Sequence, residues 1–169
     1  MRTKTTLRTF IILALLALNI GCDQVSKSIV RHRIAYDERI RILNDRVTLT
    51  KIENAGSFLS LGDSLSNPMR FILLTLFPLI FLAVGVAALF IKTRLSIINV
   101  LGFSFVLGGG MGNVYDRVVH GSVTDFIHID FGFFQTGVFN MADVSIMTGI
   151  FILLVHSYLR QARAIRIKQ

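Results

Sequence analysis

Three aspartates are the residues of this chain best suited by type and spacing to do chemistry. Asp116, Asp125 and Asp143 lie between a hydrophobic segment that closes in Gly108-Gly109-Gly110-Met111-Gly112 and a second that opens at Asp143. Each has apolar neighbours within a few residues, and an acid beside a bilayer is costly enough to imply chemistry, transport or pairing. Two carboxylates brought together cannot both ionise at neutral pH, so one keeps a proton and the other acts as base. A water held between them loses a proton to one Asp and attacks an amide carbonyl. The other Asp protonates the carbonyl oxygen and then the leaving nitrogen. Such chemistry needs no metal and no nucleophilic side chain. A single cysteine, Cys22, excludes a cysteine-based zinc cage, and the four histidines lack metal-ligand spacing.

The three acids differ in setting. If Val123–Asp130 is extended, Val123, Asp125, Ile127 and Ile129 share a face, and Asp125 is the only charge on it. Asp143 starts an apolar helix. Asp116 is followed by Arg117, a charge partner expected to keep it ionised and structural. Asn113 and Asn140 can donate and accept, which suits orienting a peptide or the carboxylates. A lone aspartate in such a place is more often a helix cap or an ion pair. Three acids and two asparagines converging on one rim weigh against that reading.

The elements that must position them follow from hydropathy. The 169 residues suit one domain, 53% are hydrophobic and 17% charged, and the mean hydropathy is +0.64. The net charge of +8 raises nucleic acid as a partner, but bases and acids sit in different segments, and no nucleic acid is expected. Four membrane spans are expected, at about 9–30, 71–91, 95–115 and 143–159, with connections at about 31–67 and 116–142. The first begins like a signal peptide, and Leu18-Asn19-Ile20-Gly21-Cys22 resembles a lipobox. Asn19 stands where a lipobox has Leu, however, and the segment continues through Asp23 and Lys27, an i,i+4 pair, so an uncleaved helix is expected. Arg39–Ile42 and Val47–Thr50 alternate around Asn44-Asp45 and read as a hairpin, with a turn-rich stretch at Gly62-Asp63-Ser64. Pro78 should kink the second span. Gly108 and Gly112 have the spacing that lets another helix approach closely. Residues 1–22, 92–94 and 160–169 carry nine Lys/Arg and no acid; the other side has as many bases, but the short turn and the tail beside the spans are purely basic, so both termini are expected in the cytoplasm and the candidate site on the outer face.

Asp23-Gln24-x-x-Lys27, Glu53-Asn54-Ala55-Gly56-Ser57-Phe58, Gly112-Asn113-Val114-Tyr115-Asp116-Arg117, Val123-x-Asp125-Phe126 and Phe139-Asn140-Met141-Ala142-Asp143 occur in this order over nearly the whole chain. The set resembles lipoprotein signal peptidase (signal peptidase II), an aspartic peptidase family of the bacterial inner membrane. The resemblance implies four membrane helices and a small β-cradle at the membrane surface. It implies cleavage of prolipoproteins just before a diacylglyceryl-modified cysteine. Membrane lipid is expected as a further partner, and no cofactor, no metal and a monomeric state are expected. The catalytic pair carries over to Asp125 and Asp143. Asn54, Gly56, Asn113, Asp116, Arg117 and Asn140 match supporting positions, and Asp23 with Lys27 a structural pair. The family commonly has Arg-Asn-Thr-Gly-Ala-Ala-Phe where this chain has Glu53-Asn54-Ala55-Gly56-Ser57-Phe58, one residue shorter.

Two other classes compete. A proton-coupled carrier would use the same acids as a relay, but relays place acids near mid-bilayer, and here the span interiors read as free of charge. A small lipidated structural protein would be processed at Cys22, with loss of residues 1–21.

Overall fold

The computed structural model describes residues 2–56 and 66–167; Ser57, Phe58 and the expected turn at Gly62-Asp63-Ser64 lie outside them. In chain order the elements are helix α1 (Arg2–Arg33), strands β1 (Arg39–Ile42) and β2 (Val47–Asn54), helix α2 (Asn67–Phe71), a π-helical turn (Ile72–Leu76), helices α3 (Phe77–Ile91) and α4 (Ile97–His120), strand β3 (Val123–Ile129) and helix α5 (Met141–Ile167). Four helical rods, with α2, the π turn and α3 forming one, are long and apolar enough to cross a membrane. They outrun the expected spans. The first runs unbroken through Cys22, and α4 continues to His120, so Asp116 and Arg117 belong to a helix rather than to a connection.

The second rod shows how it absorbs Pro78. Proline has no N–H for the carbonyl four residues back, and its ring crowds that carbonyl. The turn just before it widens to a π-helix, in which Phe77 N–H reaches the carbonyl of Ile72. α4 is the central helix and packs on α1, α3 and α5. Glycines permit the approach. A Cβ on Gly108 would lie 2.8 Å from the Cβ of Asn19, and one on Gly112 would lie 2.5 Å from Asp23 Oδ2. The expected close approach therefore joins α4 to α1. Ile12, Leu16, Leu82, Leu89, Val100, Leu107 and Val114 form the buried core between helices. At the end of the bundle remote from the sheet, Arg8 Nη2 donates to the carbonyls of Leu89 and Lys92, at 2.8 and 2.7 Å. It thereby occupies acceptors that the end of α3 leaves open.

The hairpin forms where alternation placed it, with Arg39 opposite Thr50 and Ile42 opposite Val47. β3 then pairs antiparallel with β2, giving the sheet order β1-β2-β3. A register shift between Leu49 and Ile52 lets both flanks of β2 keep their faces. Beyond it, Ile52 faces Asp125, Glu53 faces Thr124 and Asn54 faces Val123. Phe126 packs with Val30 and Ile34, which seats the sheet on the end of α1.

Candidate active site

Asp125 stands in β3, and Val123 to Phe126 are all buried, so both faces of this half of the strand are covered. Its Oδ2 accepts from Asn54 Nδ2 at 2.9 Å and its Oδ1 from Asn140 Nδ2 at 2.6 Å. Burial pushes its carboxyl up to about 6, and the charge of Asp143 acts in the same direction, against those two amide donors.

Asp143 is set by its helix. Asn140 precedes α5 and Asp143 is its third residue. Asn140 Oδ1 accepts from the backbone N–H of Asp143 at 3.1 Å, and Asp143 Oδ2 accepts from the backbone N–H of Asn140 at 3.0 Å. This is a reciprocal capping box. The helix-cap alternative for a lone aspartate is thus true of Asp143, and the cap is also what aims it. Its Oδ1 accepts from Asn113 Nδ2 at 2.9 Å.

Three asparagine amides connect the acids, and each is held one way round by a group that can only donate. Gly56 N–H donates to Asn54 Oδ1 at 3.1 Å, which turns Asn54 Nδ2 to Asp125. The Lys27 ammonium donates to Asn113 Oδ1 at 2.9 Å, which turns Asn113 Nδ2 to Asp143. The Asp143 N–H occupies Asn140 Oδ1, which leaves Asn140 Nδ2 for Asp125 and for Asn113 Oδ1, at 2.6 and 3.1 Å. Asn140 therefore touches both aspartates.

Behind the amides lies a buried ionic cluster. Lys27, Asp23 and Asp116 are fully buried, with Lys27 Nζ 2.8 Å from Asp23 Oδ2 and 2.9 Å from Asp116 Oδ2. Arg31 Nη2 reaches Asp116 Oδ1 at 2.9 Å, and Gln24 Nε2 donates to both acids at 3.0 Å. Asp23 Oδ1 also accepts from the backbone N–H of Ala142 at 2.9 Å, tying α1 to the first turn of α5. The expected partnership of Asp116 with Arg117 is corrected here: neighbours along a helix point apart, and Asp116 turns to Lys27 and Arg31 of α1 instead. Arg117 lies in the field of both Asp125 and Asp143, and its Nε is buried without a hydrogen-bond partner. The reading of charge-free span interiors also fails, since Asp23 and Lys27 lie well inside α1.

The structure thus brings Asp125, Asp143, Asn54, Gly56, Asn113 and Asn140 into one hydrogen-bonded group, with Arg117 beside it and Asp23, Lys27 and Asp116 behind it. Sequence reasoning missed Gln24, Arg31, Thr124 and Glu53. Arg31 Nε donates to Thr124 Oγ1 at 2.8 Å, and Thr124 Oγ1 donates to Glu53 Oε1 at 3.0 Å. A signal existed: Asn19, Asp23, Lys27 and Arg31 recur every four residues in an apolar helix, which puts them on one stripe. No group of three or more His, Cys, Asp or Glu arranged to hold a metal occurs among the described residues. Two carboxylates in unlike settings, one on a buried strand and one at a helix N-terminus, both held by fixed amides at the edge of an apolar bundle, have the parts needed for shared-proton hydrolysis of an amide.

A family model described as Signal peptidase (SPase) II, peptidase A8, matches residues 15–159. A lipoprotein signal peptidase of Chlorobium phaeobacteroides (strain BS1) is 35% identical over 151 residues, covering 82% of this chain and 90% of that protein. One of Streptococcus pneumoniae (strain ATCC BAA-255 / R6) is 32% identical over 148 residues, covering 86% of this chain and 90% of that protein. Among solved structures, a bacterial membrane enzyme determined by the in meso method superposes with a TM-score of 0.75 at 25% identity, covering 86% of this chain and 91% of that one. With four membrane-length helices, a three-stranded sheet and a match over most of its length, the chain belongs to the signal peptidase II family.

Proposed function

We propose that this protein is a membrane aspartic endopeptidase that removes signal peptides from lipidated prolipoproteins, cutting before the diacylglyceryl-modified cysteine. The observation that carries the reading is Asn140, whose side-chain N–H₂ meets Asp125 while its backbone N–H meets Asp143. One residue thereby holds two carboxylates whose environments differ. Asp143, at a helix N-terminus with two N–H donors, is the base. Asp125, dry and raised to about 6, keeps the proton and is the acid. A water between them gives its proton to Asp143 and adds to the scissile carbonyl, while Asp125 protonates the carbonyl oxygen. On collapse of the tetrahedral intermediate Asp143 passes its proton to the leaving nitrogen, the C–N bond breaks, and one hydroxyl proton returns to Asp125 as the carbonyl re-forms. Arg117, with an unsatisfied buried N–H beside both acids, is placed to bind a substrate carbonyl. The protein acts as a monomer, with both termini in the cytoplasm and the sheet on the outer side.

The test is a gel-shift assay on a lipidated precursor. Asp125→Asn and Asp143→Asn are each expected to lower turnover by about a hundredfold or more while the protein stays in the membrane. Normal turnover by either variant overturns the assignment. The same precursor without its diacylglyceryl group should remain uncut.

A further inference from the structure

Glu53 stands where the family motif has arginine, one residue before Asn54, whose amide meets Asp125. Its half-buried carboxylate accepts from two hydroxyls of the segment that leads into Asp125. Ser122 Oγ, between α4 and β3, donates to Oε2 at 2.6 Å, and Thr124 Oγ1 donates to Oε1 at 3.0 Å. The Thr124 hydroxyl has one hydrogen, and Arg31 Nε can only donate. Arg31 Nε, 2.8 Å away, therefore takes a lone pair on Thr124 Oγ1, and the hydrogen goes to Glu53. Thr124 is fully buried, so removing Glu53 takes the acceptor from a hydroxyl that water does not reach. An arginine in place of Glu53 would add a donor to a hydroxyl that needs an acceptor, and a second cation beside Arg31. The ladder at this point is short. The register shift between Leu49 and Ile52 leaves Ile52, Glu53 and Asn54 to pair with Asp125, Thr124 and Val123, and β2 ends at Asn54. Neighbours on a strand point to opposite faces, so Glu53 and Thr124 share one face while Asn54 and Asp125 share the other. The first face is anchored to α1 by Arg31, whose Nη2 also lies 2.9 Å from Asp116 Oδ1.

We infer that Glu53 is a positioning residue: by clamping the end of β2 to Ser122 and Thr124, it holds Asn54 where its amide meets Asp125. This rests on the peptidase reading, in which Asp125 is the acid. Gly56 N–H on Asn54 Oδ1 fixes which way round the amide faces, and the clamp fixes where the strand end lies. The Asn54 amide favours the ionised form of Asp125, so Asn54 drifting away leaves Asp125 with a still higher proton affinity. Asp125 also faces the charges of Asp143 on α5, Lys27 on α1 and Arg117 on α4, and substitution of Glu53 leaves all three in the chain. Loss of the clamp should therefore lower kcat, because the acid is misplaced, and carry the alkaline fall of kcat/KM to higher pH. A role confined to stability would lower the folded fraction and leave the pH profile where it is.

Glu53→Ala, Glu53→Gln, Glu53→Arg and Asn54→Ala are compared in the cleavage assay on a lipidated precursor. Glu53→Ala should lower kcat about tenfold or more with KM little changed, and move the alkaline limb of kcat/KM to higher pH, as Asn54→Ala does. Glutamine offers an oxygen to Thr124 and an amide N–H to Ser122, so Glu53→Gln should recover most of the activity and the wild-type limb, and Glu53→Arg should not. The double variant Glu53→Ala/Asn54→Ala should be no worse than Asn54→Ala alone, because one residue acts through the other. Additive losses overturn the inference. So does a Glu53→Ala or Glu53→Arg enzyme with wild-type kcat and pH profile, or a Glu53→Gln enzyme as weak as Glu53→Ala. A second readout needs no cleavage: the pH titration, in detergent, of the carboxyl NMR signal of isotope-labelled Asp125, identified by its absence from Asp125→Asn. An upward shift in Glu53→Ala supports the clamp even where the wild type leaves the precursor uncut, the outcome that overturns the peptidase reading. An unshifted Asp125 in an enzyme that cuts overturns the clamp alone.

Discussion

A carboxyl group as dry as that of Asp125, 5% exposed, pays for ionisation in lost hydration, and the neighbouring charge of Asp143 adds to that cost. Its ordinary value of 3.8 rises to about 6 despite two amide donors. The consequence for activity has a definite sign. An acid that must be protonated in the free enzyme is lost as pH rises through its raised value, so kcat/KM should fall tenfold per pH unit above about 6. A pH profile with saturating and subsaturating lipidated precursor checks this. A kcat/KM that keeps rising through neutral pH would reverse the acid and base roles. The asparagines matter at this scale because an amide has two different ends. Asn54, Asn113 and Asn140 present nitrogen to the carboxylates because glycine N–H, ammonium and helix N–H groups claim their oxygens.

At the scale of elements, the site depends on how closely α1, α4 and α5 approach. Gly112 is a tight point beside the site, since a Cβ there would meet Asp23 Oδ2 at 2.5 Å and Asp23 Cγ at 3.1 Å. Asp23 cannot give way without releasing Lys27 and the Ala142 N–H. Gly112→Ala is therefore expected to cost about 1–3 kcal/mol of stability, as overpacking does. It should also lower turnover by displacing Asn113, one residue on. Thermal unfolding in detergent and the cleavage assay measure the two effects. Gly121 is a milder case. It ends α4 at φ +79° with open space around its missing Cβ, so only backbone strain opposes substitution there. The capping box of α5 shows an element serving the site directly, because the bonds that start the helix also aim Asp143.

Across the whole molecule, one hydrogen-bonded path joins every part that carries the site. It runs from Asp143 through Asn113 to Lys27, on to Asp116 and Arg31, and through Thr124 to Glu53 of β2. Lys27 is its centre, fully buried between two acids. Removing it leaves Asp23 without a counter-charge in a dry place and Asp116 with Arg31 alone, so Lys27→Met should cost about 3–5 kcal/mol. The variant should unfold at lower temperature in detergent, and its residual folded fraction should cleave poorly because Asn113 loses the donor that orients it. A variant of wild-type stability would show that water reaches the cluster. The basic rims and four long apolar rods set the outer shape, and within it this path decides which side chains meet.

How much of this was legible in the chain follows from the range of the interactions. Helix spans, the hairpin, the turn at Asn44-Asp45 and the crowding at Gly108 and Gly112 all come from local pattern: apolar length, alternation, and missing side chains. Asp143 could be read as both cap and candidate acid because its cap partner is three residues away. The motif order in the sequence alone determined family resemblance and the residues to watch. Tertiary structure alone decided the partners. Asp116 left its neighbour Arg117 for Lys27 and Arg31, and Glu53 found Thr124 across two strands. The lengths of α1 and α4 beyond their apolar cores were likewise decided by polar residues that pair with one another. A buried charge chooses whichever opposite charge lets it shed water at least cost, and that choice spans residues too far apart in the chain for any local pattern to record.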